Sequence, residues 1–222
     1  MKEKASYFWR GGFYLAGMVI LALGLTLNVK AGLGCSAIVS VPYTISLLSG
    51  FDYANLTLVL YCILVALQLI LKGKKRSWQD LLQLVVSVVF TRFLSLFQAM
   101  IPYQSSALFL DLAVLLLAIA CTGVGAAMTV GMRLVPNPCD GFVSCLADLT
   151  GKELGLCKNC VDVSFVCLSL LIGLASGAPF SGVGLGTVIS MLGVGRVISA
   201  FNRLAKRPME RLAGLHLQSS AV

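Results

Sequence analysis

The sequence predicts an all-helical membrane protein in which about six apolar helices cross a lipid bilayer as one bundle. The 222 residues are 58% hydrophobic and only 12% charged, and their mean hydropathy is +0.93. Soluble domains carry about 25% charged residues, so too little polar surface is present to cover a soluble fold of this size. A single transmembrane domain is expected over residues 1–222.

Each predicted span has about the 20 apolar residues that a helix needs to cross the hydrocarbon. The spans are expected at residues 8–29, 53–72, 80–101, 106–130, 158–177 and 183–205. Two apolar pieces between them, Cys35–Leu48 and Gly141–Leu149, are too short to cross, which is typical of re-entrant segments or half-helices. The first stretch lacks a convincing signal-peptide cleavage site and is expected to stay in place as a helix.

Basic residues cluster at alternate connections between the spans. Most of the 17 Lys and Arg precede the first span, lie between spans two and three or four and five, or follow the sixth, whereas residues 102–106 and 178–182 carry none. The positive-inside rule then places both termini in the cytoplasm, with 206–222 as a polar cytoplasmic tail. The net charge of +8 is flank charge and not a nucleic-acid surface, because these residues form no basic face.

The chain also repeats itself at an interval of 101 residues. Gly24, Ser49, Gly50 and Asp52 correspond to Gly125, Thr150, Gly151 and Glu153. Each half, about 8–101 and 106–205, holds three spans and one short apolar segment. Because three is odd, the second half enters from the opposite side, which is the inverted repeat of secondary transporters. The alternative is coincidence in a composition rich in Gly and Leu.

Several segments resemble a known family. They are residues 32–43 (GLGCSAIVSVPY), 138–142 (PCDGF), 149–152 (LTGK), 161–164 (VDVS) and 184–190 (GLGTVIS). Together they resemble the YczE/YitT-like family of bacterial multi-pass membrane proteins. The resemblance implies a multi-pass protein of the bacterial inner membrane that acts in transport, and it implies no substrate. Family members often carry an acidic or Pro residue early in the first segment, where this chain has Ala37 and Val39.

Two arginines lie near the middle of predicted spans, Arg92 in the third and Arg196 in the sixth. A charge in hydrocarbon is costly unless it is paired or hydrated. Since the two spans correspond across the repeat, both guanidinium groups are predicted to point into a shared cavity and bind a small anion. The alternative is that each pairs with Asp162, Asp111 or a backbone carbonyl, or extends to the membrane interface.

The broken segment 136–141 is the second candidate site. Two prolines and a glycine prevent a regular helix there. Asn137 or Asp140 is suited to cap the short helix that follows, and exposed helix N-termini bind anions. The counterpart in the first half surrounds Ser36. An ordinary polar loop with a helix cap is the alternative.

Asp162 near the start of the fifth span has two interpretations. It is suited to be a proton-coupling carboxylate, and it is equally suited to neutralise Lys158 one helical turn away. The second is slightly favoured.

Half of the 8 cysteines fall on or near one predicted cytoplasmic connection. They are Cys139, Cys145, Cys157 and Cys160. Their spacing matches no common zinc module, and small buried cysteines are frequent in packed helices, so no metal or cofactor is expected. Disulfides are not expected on that side of the membrane. The only histidine is His216, which excludes a site built from several histidines.

The sequence holds none of the common catalytic motifs, so an enzyme is not expected. A transporter for a small molecule, with a small anion favoured, is the first interpretation. A substrate-binding or accessory subunit working with a partner is the second, and a membrane enzyme that uses Asp140 and Asp162 as acid and base is the third. The expected partners are lipid, the small-molecule ligand, and either a second copy of the chain or a partner subunit.

Overall fold

The computed structural model describes residues 2–104 and 107–215, and over these residues the chain is helical without a strand. The α-helices in the described ranges are α1 Lys2–Lys30, α2 Ser40–Ser49, α3 Tyr53–Lys72, α4 Trp78–Met100, α5 Leu108–Gly131, α6 Pro138–Thr150, α7 Leu154–Ala175, α8 Leu185–Leu204 and α9 Lys206–Leu212. A 3₁₀ turn at Ala37–Val39 leads into α2, and another at Gly73–Lys75 follows α3.

Six of the described helices are long and apolar enough to cross a membrane, which confirms the predicted helical bundle. They are α1 from Tyr7 onward, α3, α4, α5, α7 and α8, and their bounds lie close to the predicted spans. Large apolar side chains cover their outer faces, among them Trp78 and Phe109, each 81% exposed. An apolar surface of this extent is stable only where lipid covers it.

Local signals in the sequence set the helix ends. The Asp52 carboxylate accepts a hydrogen bond from the third backbone N–H of α3, over 2.8 Å. At the start of α4, the Ser77 backbone N–H donates to Asp80 Oδ2 at 2.8 Å, which is one half of a capping box. The short helices α2 and α6 each end at a left-handed glycine, Gly50 with φ 74° and Gly151 with φ 66°.

Helices α1 and α5 form the centre of the bundle, because glycines allow their backbones to meet. A Cβ on Gly24 would lie 2.5 Å from the backbone nitrogen of Thr122, and one on Gly125 would lie 2.5 Å from that of Leu21. Helix α4 packs against α1 and α3, while α8 packs against α5. The two arginine-bearing helices therefore flank different helices of the central pair.

The short helices begin in the core and end at the surface. Ser40 at the start of α2 is fully buried and Ser49 at its end is exposed; Pro138 at the start of α6 is buried and Thr150 at its end is exposed. Helix α2 packs on α3 and α7, and α6 packs on the same two helices. These are the two apolar pieces that are too short to cross.

The chain after the last span differs from the predicted polar tail. Residues Lys206–Leu212 form α9, and Met209, only 5% exposed, packs with Met128, Met132 and Leu215. The apolar side chains among the basic residues explain this difference, because they bury one face of the short helix. Residues 216–222, including His216, lie outside the described residues.

Candidate functional site

The chain between α5 and α6 turns back into the core. The carbonyl oxygen of Met132 accepts a hydrogen bond from the Arg10 guanidinium at 3.0 Å. Further along, the carbonyl oxygen of Val135 accepts one from the Tyr14 hydroxyl at 2.7 Å. These two contacts with α1 satisfy backbone groups that no helix satisfies and lead the chain inward to the start of α6.

Asn137 caps α6 at its buried end. Its Oδ1 accepts a hydrogen bond from the backbone N–H of Cys139 at 3.2 Å, and its Nδ2 donates to the Tyr61 hydroxyl at 3.4 Å. Tyr61 is 1% exposed and stacks on Phe90 with ring centroids 6.0 Å apart. The predicted cap is therefore present, and it lies deep between α3, α4 and α6.

A small cavity of about 10 Å³ lies beside this cap. Its polar lining comes from Tyr14, Tyr61, Ser87, Thr129 and Asn137. The volume suffices for about one water molecule. A larger solute enters only when the surrounding helices move apart.

Two glutamines, Gln68 of α3 and Gln83 of α4, face α6 one turn beyond the cap. Both are completely buried. A Cβ on Gly141 would lie 2.8 Å from the Oε1 atoms of both side chains and 3.0 Å from Nε2 of Gln83, so only glycine leaves room for them. Gln68 Oε1 and both terminal atoms of Gln83 have no hydrogen-bond partner among the described residues.

An ion pair fixes the orientation of one of these carboxamides. Gln68 Nε2 donates to Asp80 Oδ1 at 2.8 Å, and Lys72 Nζ lies 2.7 Å from the same oxygen. Because Nε2 is held by the carboxylate, Gln68 Oε1 is directed toward Gly141. Ser87, which lines the cavity, donates from Oγ to the backbone carbonyl of Gln83 one turn earlier in α4, at 2.6 Å. The two carboxamides themselves are not part of the cavity lining.

Asp140 lies on the other side of α6, near charged groups of α7. Burial raises the pKa of the Asp140 carboxyl, and the positive charge of Lys158 opposes that rise. Lys158 Nζ lies 3.7 Å from Asp162 Oδ2, one helical turn along α7. This is the ion pair that the second interpretation of Asp162 expects. Oδ1 of Asp162 is buried and has no hydrogen-bond partner in the described part of the chain.

Ser36 lies at the corresponding break in the first half, and it does not line the Asn137 cavity. It caps the 3₁₀ turn without a side-chain hydrogen bond. Next to it, Cys35 donates from its backbone N–H and its Sγ to the Gly182 carbonyl, at 3.3 and 3.2 Å. Further into α2, the Thr44 and Ser169 hydroxyls lie 2.6 Å apart. The polar groups of Cys35, Thr44 and Ser169 near this break are therefore already hydrogen-bonded within the protein.

The structure does not bring Arg92 and Arg196 together. Arg92 is exposed and donates to Asn55 Oδ1 at 2.6 Å. Arg196 is exposed and lines an open groove on α8. This arrangement differs from the predicted shared cavity, because Arg92 reaches the neighbouring helix α3 and Arg196 lies on the exposed face of α8, so neither guanidinium enters the core. That either arginine binds an anion stays a prediction.

Comparison with known proteins gives a family. The chain matches DUF6198, a family of unknown function, over residues 8–203. It belongs to this family. It is also similar to the uncharacterized membrane protein YczE of Bacillus subtilis (strain 168), with 23% identity over 203 residues, covering 89% of this chain and 86% of that protein. No solved structure matches. The predicted resemblance to YczE-like membrane proteins is confirmed.

The four cysteines near the α6–α7 connection do not converge. Cys139, Cys145 and Cys157 are buried, whereas Cys160 is exposed. In the described ranges, no three His, Cys, Asp or Glu side chains are close enough to hold a metal ion. Cys145 and Cys157 instead make single weak contacts, with the Gln68 carbonyl at 4.0 Å and a hydroxyl at 3.7 Å.

Sequence reasoning missed Tyr61, Gln68 and Gln83, because it examined only the charged groups within the spans. A signal was present. Uncharged amides in apolar spans are also costly to bury and usually face the interior of the bundle. Gln68 and Gln83 lie four and three residues from the ion-paired Lys72 and Asp80, which places them on the same helix faces.

Proposed function

We propose that this chain is a small-molecule transporter that binds a small polar solute at the buried start of α6. The observation that carries this proposal is the unmet hydrogen bonding of Gln68 and Gln83 beside Gly141. Buried polar atoms without partners destabilise a fold, and functional sites are where such atoms persist. A bound solute supplies the missing partners.

The site suits a solute with an anionic or strongly accepting group. Gln83 Nε2 donates to no described residue, and the start of α6 carries the partial positive charge of a helix N-terminus. The two free Oε1 atoms accept hydrogen bonds from hydroxyl or amine groups elsewhere on the solute. A small anion that also carries a donor group is therefore the favoured ligand, and neither span arginine is needed to bind it.

Helix boundaries support a transporter built from two repeats. Helices α1 and α5 end 101 residues apart, α2 and α6 end 101 residues apart, and α3 and α7 begin 101 residues apart. The glycines that end α2 and α6, Gly50 and Gly151, correspond at the same interval. Matching helix ends favour a repeat over coincidence in a Gly-rich composition.

Side-chain contacts repeat at the same interval. Thr44 of α2 contacts Ser169 of α7. The residues 101 positions away from this pair are Cys145 of α6 and Gln68 of α3, which also contact each other. Helix α2 of the first half thus packs on α7 of the second half, and α6 of the second half packs on α3 of the first. We infer that the halves are inverted, with both termini cytoplasmic in a bacterial inner membrane and the site between the halves.

Binding without catalysis is part of the proposal. A membrane enzyme that uses Asp140 and Asp162 needs one free acid and one free base. Lys158 instead pairs with Asp162, and its positive charge also acts on the Asp140 carboxyl. An accessory subunit would share the binding site but require a partner to move the solute, so uptake by the purified chain alone separates it from a transporter.

The test begins with ligand discovery on the purified protein. A thermal-shift panel of phosphate, sulfate, small hydroxy- and amino-carboxylates and uncharged amides is expected to give at least one solute that raises the Tm. Proteoliposomes containing the protein alone are then expected to take up that solute. A panel without any stabilising solute would count against the site, and binding without uptake would favour the accessory subunit.

Matched variants locate the site. Gln83→Met keeps the side-chain length but removes the free donor and acceptor, and it is expected to abolish the thermal shift. Arg196→Gln on the outer face of α8 is expected to retain it. If Arg196→Gln lost the thermal shift and Gln83→Met kept it, the solute would bind at the span arginines and not at the glutamines.

A further inference from the structure

The outward face of α8 forms a groove whose chemistry differs from the rest of the lipid-facing surface. The groove has a volume of about 450 Å³ and is open to the surroundings. Its lining comes from one face of the helix: Met191, Leu192, Gly195, Arg196, Ser199, Ala200 and Arg203. Small residues at the centre keep it shallow and smooth, and a Cβ on Gly195 would meet no atom within 4 Å.

Two cations in this groove have no ion-pair partner in the part of the chain that the structure describes. Arg196 lies in the middle third of α8 and Arg203 in its last turn, and both are exposed. Within the described residues the ion pairs are Lys72–Asp80, Arg133–Glu210 and Lys158–Asp162, so no described carboxylate neutralises either arginine. An unpaired guanidinium in the middle of a span is costly unless an anion or water reaches it.

We propose that this groove binds one anionic phospholipid. The two arginines are seven positions apart, which places them about 10 Å apart on one helix face, a distance that two long side chains can bridge to reach one headgroup. Guanidinium groups bind phosphate through paired hydrogen bonds. One acyl chain then lies over Gly195 and against Leu192.

Two further observations favour a lipid. The exposed Arg207 and Arg211 of α9 follow directly at the same end of α8, and clustered basic residues beside a span attract anionic lipid headgroups. A second copy of the chain is disfavoured, because a two-fold contact along this face brings each arginine against its own equivalent. That contact would concentrate positive charge in hydrocarbon.

Lipid retention tests this proposal. Protein purified in mild detergent is mixed with equal amounts of phosphatidylglycerol and phosphatidylcholine of identical acyl chains, and bound lipid is counted by native mass spectrometry. The wild-type protein is expected to retain phosphatidylglycerol selectively, and Arg196→Gln with Arg203→Gln is expected to weaken that retention about tenfold. Arg92→Gln, which removes a span arginine hydrogen-bonded to Asn55, is the matched control and is expected to change nothing.

Three outcomes would overturn the proposal. The first is equal retention of the two lipids by the wild-type protein. The second is displacement of phosphatidylglycerol by millimolar inorganic phosphate, which would make free phosphate the occupant. The third is efficient disulfide formation between two copies carrying Ser199→Cys in native membranes, which would show that a second copy covers the groove. If the double arginine variant does not fold, Ser199→Leu fills the groove with both charges kept and is expected to lose the lipid.

Discussion

The residues that define the candidate site are uncharged. Gln68 and Gln83 lie against Gly141, one turn after the Asn137 cap of α6, whereas the span arginines lie on outer surfaces. Uncharged side chains suit a membrane interior, because a carboxamide offers both donor and acceptor atoms without the cost of burying a charge. Polar atoms without partners then remain available to a solute.

Stability and function are expected to separate at the glutamines. Gln83→Met removes two buried polar atoms that lack partners, so the free energy of unfolding is expected to stay equal or rise by about 1 kcal/mol. Gln68→Met breaks the hydrogen bond to Asp80 and is expected to lower it by about 1–2 kcal/mol. Thermal unfolding in detergent measures both variants. Strong destabilisation by Gln83→Met would show that this side chain serves the fold.

The raised pKa of Asp140 predicts a dependence on pH. A carboxyl whose pKa is higher in the folded than in the unfolded protein binds its proton more tightly when folded. Stability is therefore lost as pH rises from about 4, the ordinary value, through the raised pKa. Asp140→Asn is expected to remove this loss, so the Tm of the variant declines less than that of the wild type over this range. Asp148→Asn, exposed on the same helix, is the control, and an unchanged pH profile for Asp140→Asn would contradict the prediction.

The sequence could not show which side chains of the spanning helices face the lipid and which face the interior of the bundle. In a soluble helix, apolar periodicity marks the face toward the core. In a membrane both the lipid and the core are apolar, so the pattern around Arg92 or Arg196 does not distinguish inside from outside. For the same reason, sequence reasoning missed Gln68 and Gln83. An amide side chain in an apolar span is nevertheless a signal that this face of the helix points to the interior.

At the scale of elements, the helix ends were more predictable than the packing. Left-handed glycines after α2 and α6 and the Asp52 cap of α3 are local signals that depend on a few residues. The burial of both short-helix N-termini depends instead on tertiary contacts, such as those of Tyr14 and Arg10 with the chain before α6. Sequence spacing alone predicted the two short helices without showing how they enter the core.

The crossing of α1 and α5 is expected to depend on glycine. Gly125→Ala would place a Cβ 2.5 Å from the backbone nitrogen of Leu21, and backbone atoms cannot move aside as a flexible side chain can. Overpacking of this kind is expected to cost about 1–3 kcal/mol. Gly155→Ala in α7, where no atom lies within 4 Å of the added Cβ, is expected to be neutral or to stabilise by up to about 1 kcal/mol. Equal Tm values for the two variants would contradict this account.

At the scale of the whole molecule, six spans and alternating basic connections predict one orientation. Cysteines placed at Lys74, Lys152 and Lys206 are expected to react with an impermeant thiol reagent only from the cytoplasmic side. Cysteines at Tyr103 and Pro179 are expected to react from the other side. Labelling of whole cells against inverted vesicles distinguishes the two, and an outward position for any of the three lysines would overturn this topology.

The inverted repeat makes a sharper prediction about the two short helices. Ser49 and Thr150 are 101 residues apart, each is the last residue of its short helix, and each is exposed. If both halves had the same direction, these ends would lie on one face of the membrane. Three spans per half place them on opposite faces of the membrane. Ser49→Cys is therefore expected to react from outside and Thr150→Cys from inside. Each is tested in a background whose exposed native cysteines are replaced by serine. Reaction of both from the same side would remove the inverted repeat and the alternating site between the halves, while the solute-binding test at Gln68 and Gln83 would stand separately, because it depends only on their unpartnered atoms.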